Sequence, residues 1–188
     1  MKIAIIGAGN LGLSIAKGVL HSNGATTMYL TKRHADSIKN YEKYGNVTVG
    51  SDNRKAVEKS DILIFAVQPR DFAKILEEVK DLLTDKHVII STITGFSIEK
   101  MEAILGKEKH IIRSMPNTAI SVGKSMTCVC SNTAGNKRID LAKAIFNRMG
   151  YSMEIPENQM QAATAVSYTH LTLPTTCNLC RSRWSPYQ

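Results

Sequence analysis

Three glycines, Gly7, Gly9 and Gly12, follow the apolar run Lys2-Ile3-Ala4-Ile5-Ile6 and lead into an amphipathic stretch. Each has a physical use in binding a phosphate chain. Gly7 allows a tight turn out of a strand, and Gly9 lets backbone N–H groups approach a pyrophosphate with no Cβ in the way. Gly12 lets the following helix pack close to that strand, so that its positive end faces the phosphates. The spacing alone is weak, because glycines gather in many loops and an ordinary strand-to-helix turn is the alternative. The flanking strand and helix favour the dinucleotide turn.

Three further segments bear on the same chemistry. Thr31-Lys32-Arg33 ends the second expected strand, where an NAD-binding domain places an acid that accepts hydrogen bonds from the ribose hydroxyls. A hydroxyl and two cations stand there instead, a set able to hold a 2′-phosphate. The pattern therefore predicts NADP preference, with a solvated pair of loop charges as the alternative. Ala66-Val67-Gln68-Pro69 closes the fourth strand at the carboxyl edge of the sheet, and Pro69 stiffens its exit. Arg113-Ser114-Met115-Pro116-Asn117-Thr118 closes another buried strand, and Asn117 and Thr118 follow Pro116 with polar side chains. As spacing alone, these two segments are ordinary loop chemistry.

Other residues of chemical interest read as structural. Cys128 and Cys130 alternate with Val129 and point to one face of a strand as plain core thiols. Cys177 and Cys180 form a CxxC without a second ligand pair, so neither a zinc nor a redox site is expected. His21, His34, His87 and His110 fall at element ends, where solvated or capping roles are usual, and no catalytic residue is assigned. The chain has 24 Lys and Arg against 16 Asp and Glu, a formal charge of +8, but these residues are interspersed, as in Glu77-Glu78-Val79-Lys80-Asp81. No basic stripe with aromatics appears, which argues against nucleic acid and suits a polyanionic small ligand. No apolar run is long enough for a bilayer and no signal peptide is evident, so the expected setting is the cytoplasm.

The elements that must position these groups alternate. Apolar patterning predicts strands at 2–6, 27–31, 47–49, 61–67, 87–93, 110–114 and 125–131, with helices at 11–22, 34–43, 53–59, 70–83, 97–105 and 135–149. Gly24, Gly45, Gly106 and Gly150 follow helices, and Asp52 can cap the helix after it. Ser97 can cap another, although Lys100 stands where a capping-box acid belongs. Runs such as Asp61-Ile62-Leu63-Ile64-Phe65-Ala66-Val67 are apolar on both faces, as central parallel strands covered on both sides should be. The expected fold is α/β, a doubly wound, mostly parallel Rossmann-type sheet.

The periodicity fails after about residue 166. Residues 157–166 read as the start of a further helix, whereas Ser167-Tyr168-Thr169-His170-Leu171-Thr172-Leu173-Pro174-Thr175-Thr176 has neither period. The stretch 166–176 is similar to a translated sequencing adaptor, so 167–188 is expected to be a non-native tail, with a natural basic tail as the alternative. The expected divisions are 1–156 for the dinucleotide-binding domain, 157–166 for the start of a helical domain, and 167–188 for the tail.

Taken together, the motifs resemble one family, the pyrroline-5-carboxylate reductases. The resemblance covers residues 1 to about 166 and rests on GAGNLG, AVQP where the family usually has AVKP, the ITG of Ile93-Thr94-Gly95, and RSMPNT for R-x-MPNT. It continues through Val122-Gly123 and Met126-Thr127 to Ala163-Thr164-Ala165-Val166, similar to the opening of the family's TA-(L/V)-SGSGPAY helix. The resemblance implies reduction of the C=N bond of 1-pyrroline-5-carboxylate by NADPH, or alternatively NADH, giving proline. It also implies an all-helical C-terminal domain that dimerises and completes the substrate pocket. That domain is expected to be missing here, leaving this chain inactive as written. Carried-over cofactor contacts are Gly7, Ala8, Gly9, Asn10, Leu11 and Gly12 for the pyrophosphate, and Thr31, Lys32, Arg33 and Asn53 at the adenosine phosphate. Ala66, Val67, Gln68 and Pro69, with Thr92, Ile93 and Thr94, would border the cleft. Met115, Pro116, Asn117 and Thr118 would approach the nicotinamide. Gln68 in place of the usual Lys removes one cation near the phosphates. Another NADP-linked oxidoreductase, such as a deazaflavin-dependent NADP reductase, and a non-enzymatic dinucleotide-binding module are the alternatives.

Overall fold

A computed structural model describes residues 1–22 and 27–169. Among these residues eight strands form a single sheet in the order β3-β2-β1-β4-β5-β6-β7-β8. They are β1 (Lys2–Ile6), β2 (Thr27–Thr31), β3 (Val47–Gly50), β4 (Ile62–Phe65), β5 (Val88–Ser91), β6 (His110–Met115), β7 (Ser125–Ser131) and β8 (Gly150–Glu154). All neighbours run parallel except β6 and β7, which pair antiparallel with Ser114 opposite Val129. The chain winds outward from β1 to β3 and then returns to place β4 on the other side of β1. That reversal opens a crevice at the carboxyl ends of β1 and β4, the place where open α/β sheets bind ligands.

The double-sided apolar pattern of the central strands divides into two cores. Ile3, Ile5, Ile62, Ile64, Val88 and Ile90 face the side covered by α1 (Asn10–His21) and α5 (Ile139–Phe146). Ala4, Ile6, Leu63, Phe65 and Ile89 face α2 (Asn53–Glu58), α3 (Pro69–Val79) and α4 (Ile98–Leu105). On that second side Phe65, Phe72 and Phe96 follow one another with ring centroids 5.4 and 4.9 Å apart, fixing α3 against β4.

Local signals placed the helix starts correctly. The Lys55 amide donates to Asp52 Oδ1 at 3.0 Å, and the Lys100 amide donates to Ser97 Oγ at 3.3 Å. The capping-box acid missing at Lys100 is replaced from far along the chain: the Ile98 amide donates to Glu157 Oε1 at 2.7 Å. Gly45 and Gly106 do follow helical segments with positive φ, whereas Gly24 lies outside the described residues.

Several expectations are corrected. Residues 34–43 do not form an α-helix but a 3-10 segment, Ala35–Tyr44, whose buried residues Ile38 and Tyr41 stand three apart, as the three-residue turn places them on one face. The expected helix at 135–149 is divided into α5 flanked by 3-10 turns, and 70–83 ends in a 3-10 turn, Lys80–Leu82. β8 was not expected, because Gly150 reads as a helix stop. Its φ of 143° and close packing on the Ser125 backbone let the chain leave the helix directly into a strand. A final helix, α6 (Met160–Thr169), runs three residues past the expected break at 166, since 167–169 contain neither Gly nor Pro. Cys177, Cys180 and the rest of the expected tail from 170 onward lie outside the described residues.

Candidate functional site

The glycine turn separates into positions that the fold requires and one that it does not. Gly7 has φ +94°, and a Cβ there would lie 2.7 Å from the Ala66 carbonyl oxygen. A Cβ on Gly12 would collide with the Gly7 carbonyl oxygen, so the entry of α1 can pack on the strand only as glycine. Gly9 is different. Its φ of −83° suits any residue, and a Cβ built on it meets no atom of the described residues within 4 Å. The bare backbone at Gly9 therefore faces open space.

Around that space is a cleft of about 480 Å³. Its walls come from the end of β1 (Gly7, Ala8, Gly9), the end of β2 (Thr31, Lys32, Arg33), Asn53, and the segment after β4 (Ala66, Val67, Gln68). The Gly7 and Ala8 amides donate to the Thr31 carbonyl at 3.1 and 2.8 Å, which ties the turn to β2. The first helical bond of α1 runs from the Leu13 amide to the Gly9 carbonyl at 2.8 Å. The amides of Asn10, Leu11 and Gly12 precede it, and no side chain caps the helix. This end of the helix thus offers donors and a positive dipole to an anion.

The far end of the cleft is more highly charged. Thr31 Oγ1 donates to Asn53 Oδ1 at 2.8 Å, and Asn53 Nδ2 reaches Glu78 Oε2 at 3.4 Å. Arg33 faces Asp71 across 3.7 Å. Ser51, Arg70, Asp71, Lys74, Ile75 and Glu78 also line the cleft, and the motifs did not point to them. A signal was available. Positions 70, 74 and 78 recur every four residues along α3, as do 71 and 75, so one face of that helix carries all of them.

The other expected contacts are placed differently. Asn10, Leu11 and Gly12 begin α1 without lining the cleft, and Leu11 packs against the core. Pro69 opens α3 outside it. Thr92 is buried, with Oγ1 donating to the Phe65 carbonyl at 2.8 Å, and Ile93 lies in the core, while Thr94 is exposed. Met115 and Pro116 are buried at the end of β6, Asn117 accepts from the Ala119 amide at 3.2 Å, and Thr118 opens a 3-10 turn. Thr92 to Thr94 and Met115 to Thr118 follow the carboxyl ends of β5 and β6, beyond the cleft proper.

Behind β6, Arg113 Nη1 donates to Glu157 Oε1 at 2.7 Å, so this carboxylate joins β6, the start of α4 and the chain entering α6. Beside it a more open hollow of about 600 Å³ includes Cys130 and shares no residue with the cleft. Burial, with the nearby Glu157 charge, pushes the Cys130 thiol up to about 12, and burial also raises Cys128. Both are free thiols, in keeping with core roles. His87 is not solvated as expected but 2% exposed, and it accepts the Thr84 amide on Nδ1 at 2.9 Å.

A family model described as NADP oxidoreductase, coenzyme F420-dependent, matches residues 2–95. The chain belongs to this family. Its likeness extends beyond that span to pyrroline-5-carboxylate reductases, which bears out the resemblance drawn from the motifs. The chain is 36% identical to pyrroline-5-carboxylate reductase 1 of Dictyostelium discoideum over 178 residues, covering 87% of this chain and 32% of the relative. The structure of the Coxiella burnetii pyrroline-5-carboxylate reductase superposes with a TM-score of 0.84 at 28% identity, over 97% of this chain and 68% of that one. The Plasmodium falciparum enzyme, solved with NADP bound, gives 0.78 at 27% identity, over 97% and 70%. The chain spans between 32% and 63% of the length of the first curated relatives. Among the described residues no helix is long and apolar enough to cross a membrane.

Proposed function

We propose that this chain is the NADPH-binding part of a pyrroline-5-carboxylate reductase, which reduces the C=N bond of 1-pyrroline-5-carboxylate to give proline. One observation carries the reading: the Gly9 position opens into the switch-point cleft, where the fold places no atom that needs a glycine. A pyrophosphate accounts for the bare backbone, and the uncapped start of α1 supplies its donors.

The residues then divide by role. The turn from Gly7 to Gly12 holds the pyrophosphate. Thr31, Lys32, Arg33 and Asn53 hold the 2′-phosphate end, Ala66 to Gln68 wall the cleft, and Pro69 with Thr92 to Thr94 flank it. Met115 to Thr118 stand toward the nicotinamide. Bound NADPH supplies the hydride, so the protein's part is to hold two planar groups face to face and exclude water. Residues 1–156 are the dinucleotide-binding domain in this reading, and residues 157–166 begin the helical domain that completes the substrate site and the homo-oligomer. A cytoplasmic setting agrees with the free thiols of Cys128 and Cys130. The family's own description favours a second reading, an NADP-linked reductase with a deazaflavin partner. Against it, the likeness to the reductases of pyrroline carboxylate continues past residue 95.

The test is a fluorescence titration of the full chain with NADPH and with NADH. NADPH should bind more tightly, and Arg33→Asp should lower that preference about five- to tenfold. This is the effect of one charge-assisted bond, discounted for screening at an exposed guanidinium. Equal affinities for the two cofactors, or none for either, would refute the reading.

A further inference from the structure

The Arg33 guanidinium, which this reading assigns to a 2′-phosphate, already has a partner in Asp71, whose Oδ2 lies 3.7 Å away. The two residues stand on opposite walls of the cleft, Arg33 just after β2 and Asp71 in the first turn of α3. The acid is the better anchored of the pair. The Asp71 amide donates to the Gln68 carbonyl at 3.0 Å, and its side chain is 38% exposed against 78% for Arg33. Asn53 is engaged in the same way, between Thr31 Oγ1 and Glu78. Two carboxylates of one helix thus occupy two groups at the adenosine end.

A dinucleotide site that accepts an unphosphorylated ribose carries an acid at the end of its second strand. That position here is occupied by Thr31-Lys32-Arg33, and α3 brings a carboxylate to the same place from across the cleft. We propose that Asp71 is a specificity-determining residue, a carboxylate that competes with the 2′-phosphate for Arg33 and so narrows the preference of the site for NADPH over NADH. The inference rests on the cofactor reading above. Entry of NADPH exchanges the Asp71–Arg33 pair for a phosphate–Arg33 pair and leaves Asp71 beside a second anion. Entry of NADH leaves the pair intact. Lys74 and Arg70 line the same wall and can take up part of the released charge, so the penalty is a modest one.

The experiment titrates NADPH and NADH separately into the full chain and into Asp71→Asn, Arg33→Ala and the double variant. Asn keeps the shape of the side chain and removes its charge. NADPH should bind Asp71→Asn about two- to fivefold more tightly, the range expected on releasing an exposed ion pair. NADH affinity should stay within error, and the NADPH gain should be smaller in the Arg33→Ala background, where only the repulsion between Asp71 and the phosphate is relieved. Unchanged or weaker NADPH binding, an equal gain for NADH, or a gain undiminished without Arg33 would each overturn the role of Asp71 while leaving the cofactor reading in place. Failure of the unaltered chain to bind either cofactor would overturn both.

Discussion

Substituting the three turn glycines one at a time should separate folding from binding. Gly9→Val places two methyls where a Cβ meets nothing within 4 Å, at a φ of −83° that valine adopts freely. The folded chain loses only the difference between Gly and Val at a helix N-cap, about 1 kcal/mol, or a Tm lower by about 2–4 °C. Overpacking costs about 1–3 kcal/mol, and the branched side chain fills the space proposed for the pyrophosphate, so NADPH affinity should fall about 100-fold. Gly12→Ala should do the reverse. Its Cβ meets the Gly7 carbonyl oxygen and comes within 3.2 Å of Ile5 Cγ2. Backbone cannot move aside as a side chain can, so a loss of about 3 kcal/mol and a Tm drop of about 6–12 °C are expected. Gly7→Ala adds positive-φ strain of about 1–3 kcal/mol to a similar clash. The assay is thermal melting followed by circular dichroism, run beside NADPH fluorescence titration. A Gly9→Val protein that keeps NADPH affinity within about threefold would remove the turn from the site. One that melts like Gly12→Ala would show that the space at Gly9 is not open.

Two further outcomes are expected. His87 is buried, its Nε2 has no hydrogen-bond partner among the described residues, and burial lowers its pKa below 6.5. The unfolded chain therefore binds more protons in the window between the lowered value and 6.5. Stability from this group is complete above about pH 6.5 and declines as pH falls below it. Melting temperatures from pH 7.5 to 5.5 should fall less in His87→Asn, which keeps an acceptor for Thr84, and an equal slope in both proteins would contradict this. Glu157→Gln weakens the junction of β6, α4 and α6 by removing the charge facing Arg113, which is only 11% exposed. A loss of about 1–3 kcal/mol is expected by urea denaturation, and an unchanged midpoint would mean the bridge contributes nothing net.

What could be read directly from the sequence is local or periodic. A run of alternating cores such as Ile62-Leu63-Ile64-Phe65 announces a strand buried on both faces, and Asp52 or Ser97 before an apolar period announces a helix start. The glycine turn is of the same kind, because its spacing falls within six residues and no distant partner is needed to recognise it. The candidate cleft is therefore half visible: Gly7 to Gly9, Thr31 to Arg33 and Ala66 to Gln68 stand in motifs and Asn53 comes from the family resemblance, and the fold gathers them at one crevice. The remainder depends on which elements meet. That β4 returns to lie beside β1 is a matter of topology, and only that return brings Arg70, Asp71, Lys74 and Glu78 into the cleft beside Thr31 to Arg33. β8 escaped detection because an edge strand with one covered face has a weak pattern and Gly150 imitates a helix stop. The pairing of Glu157 with Ile98 and Arg113 spans 59 and 44 residues, and no local rule reports which distant acid completes a cap. Strand, helix and turn follow from the chemistry of neighbours along the chain. The partners of charged groups follow from packing, which depends on the whole sheet closing at once.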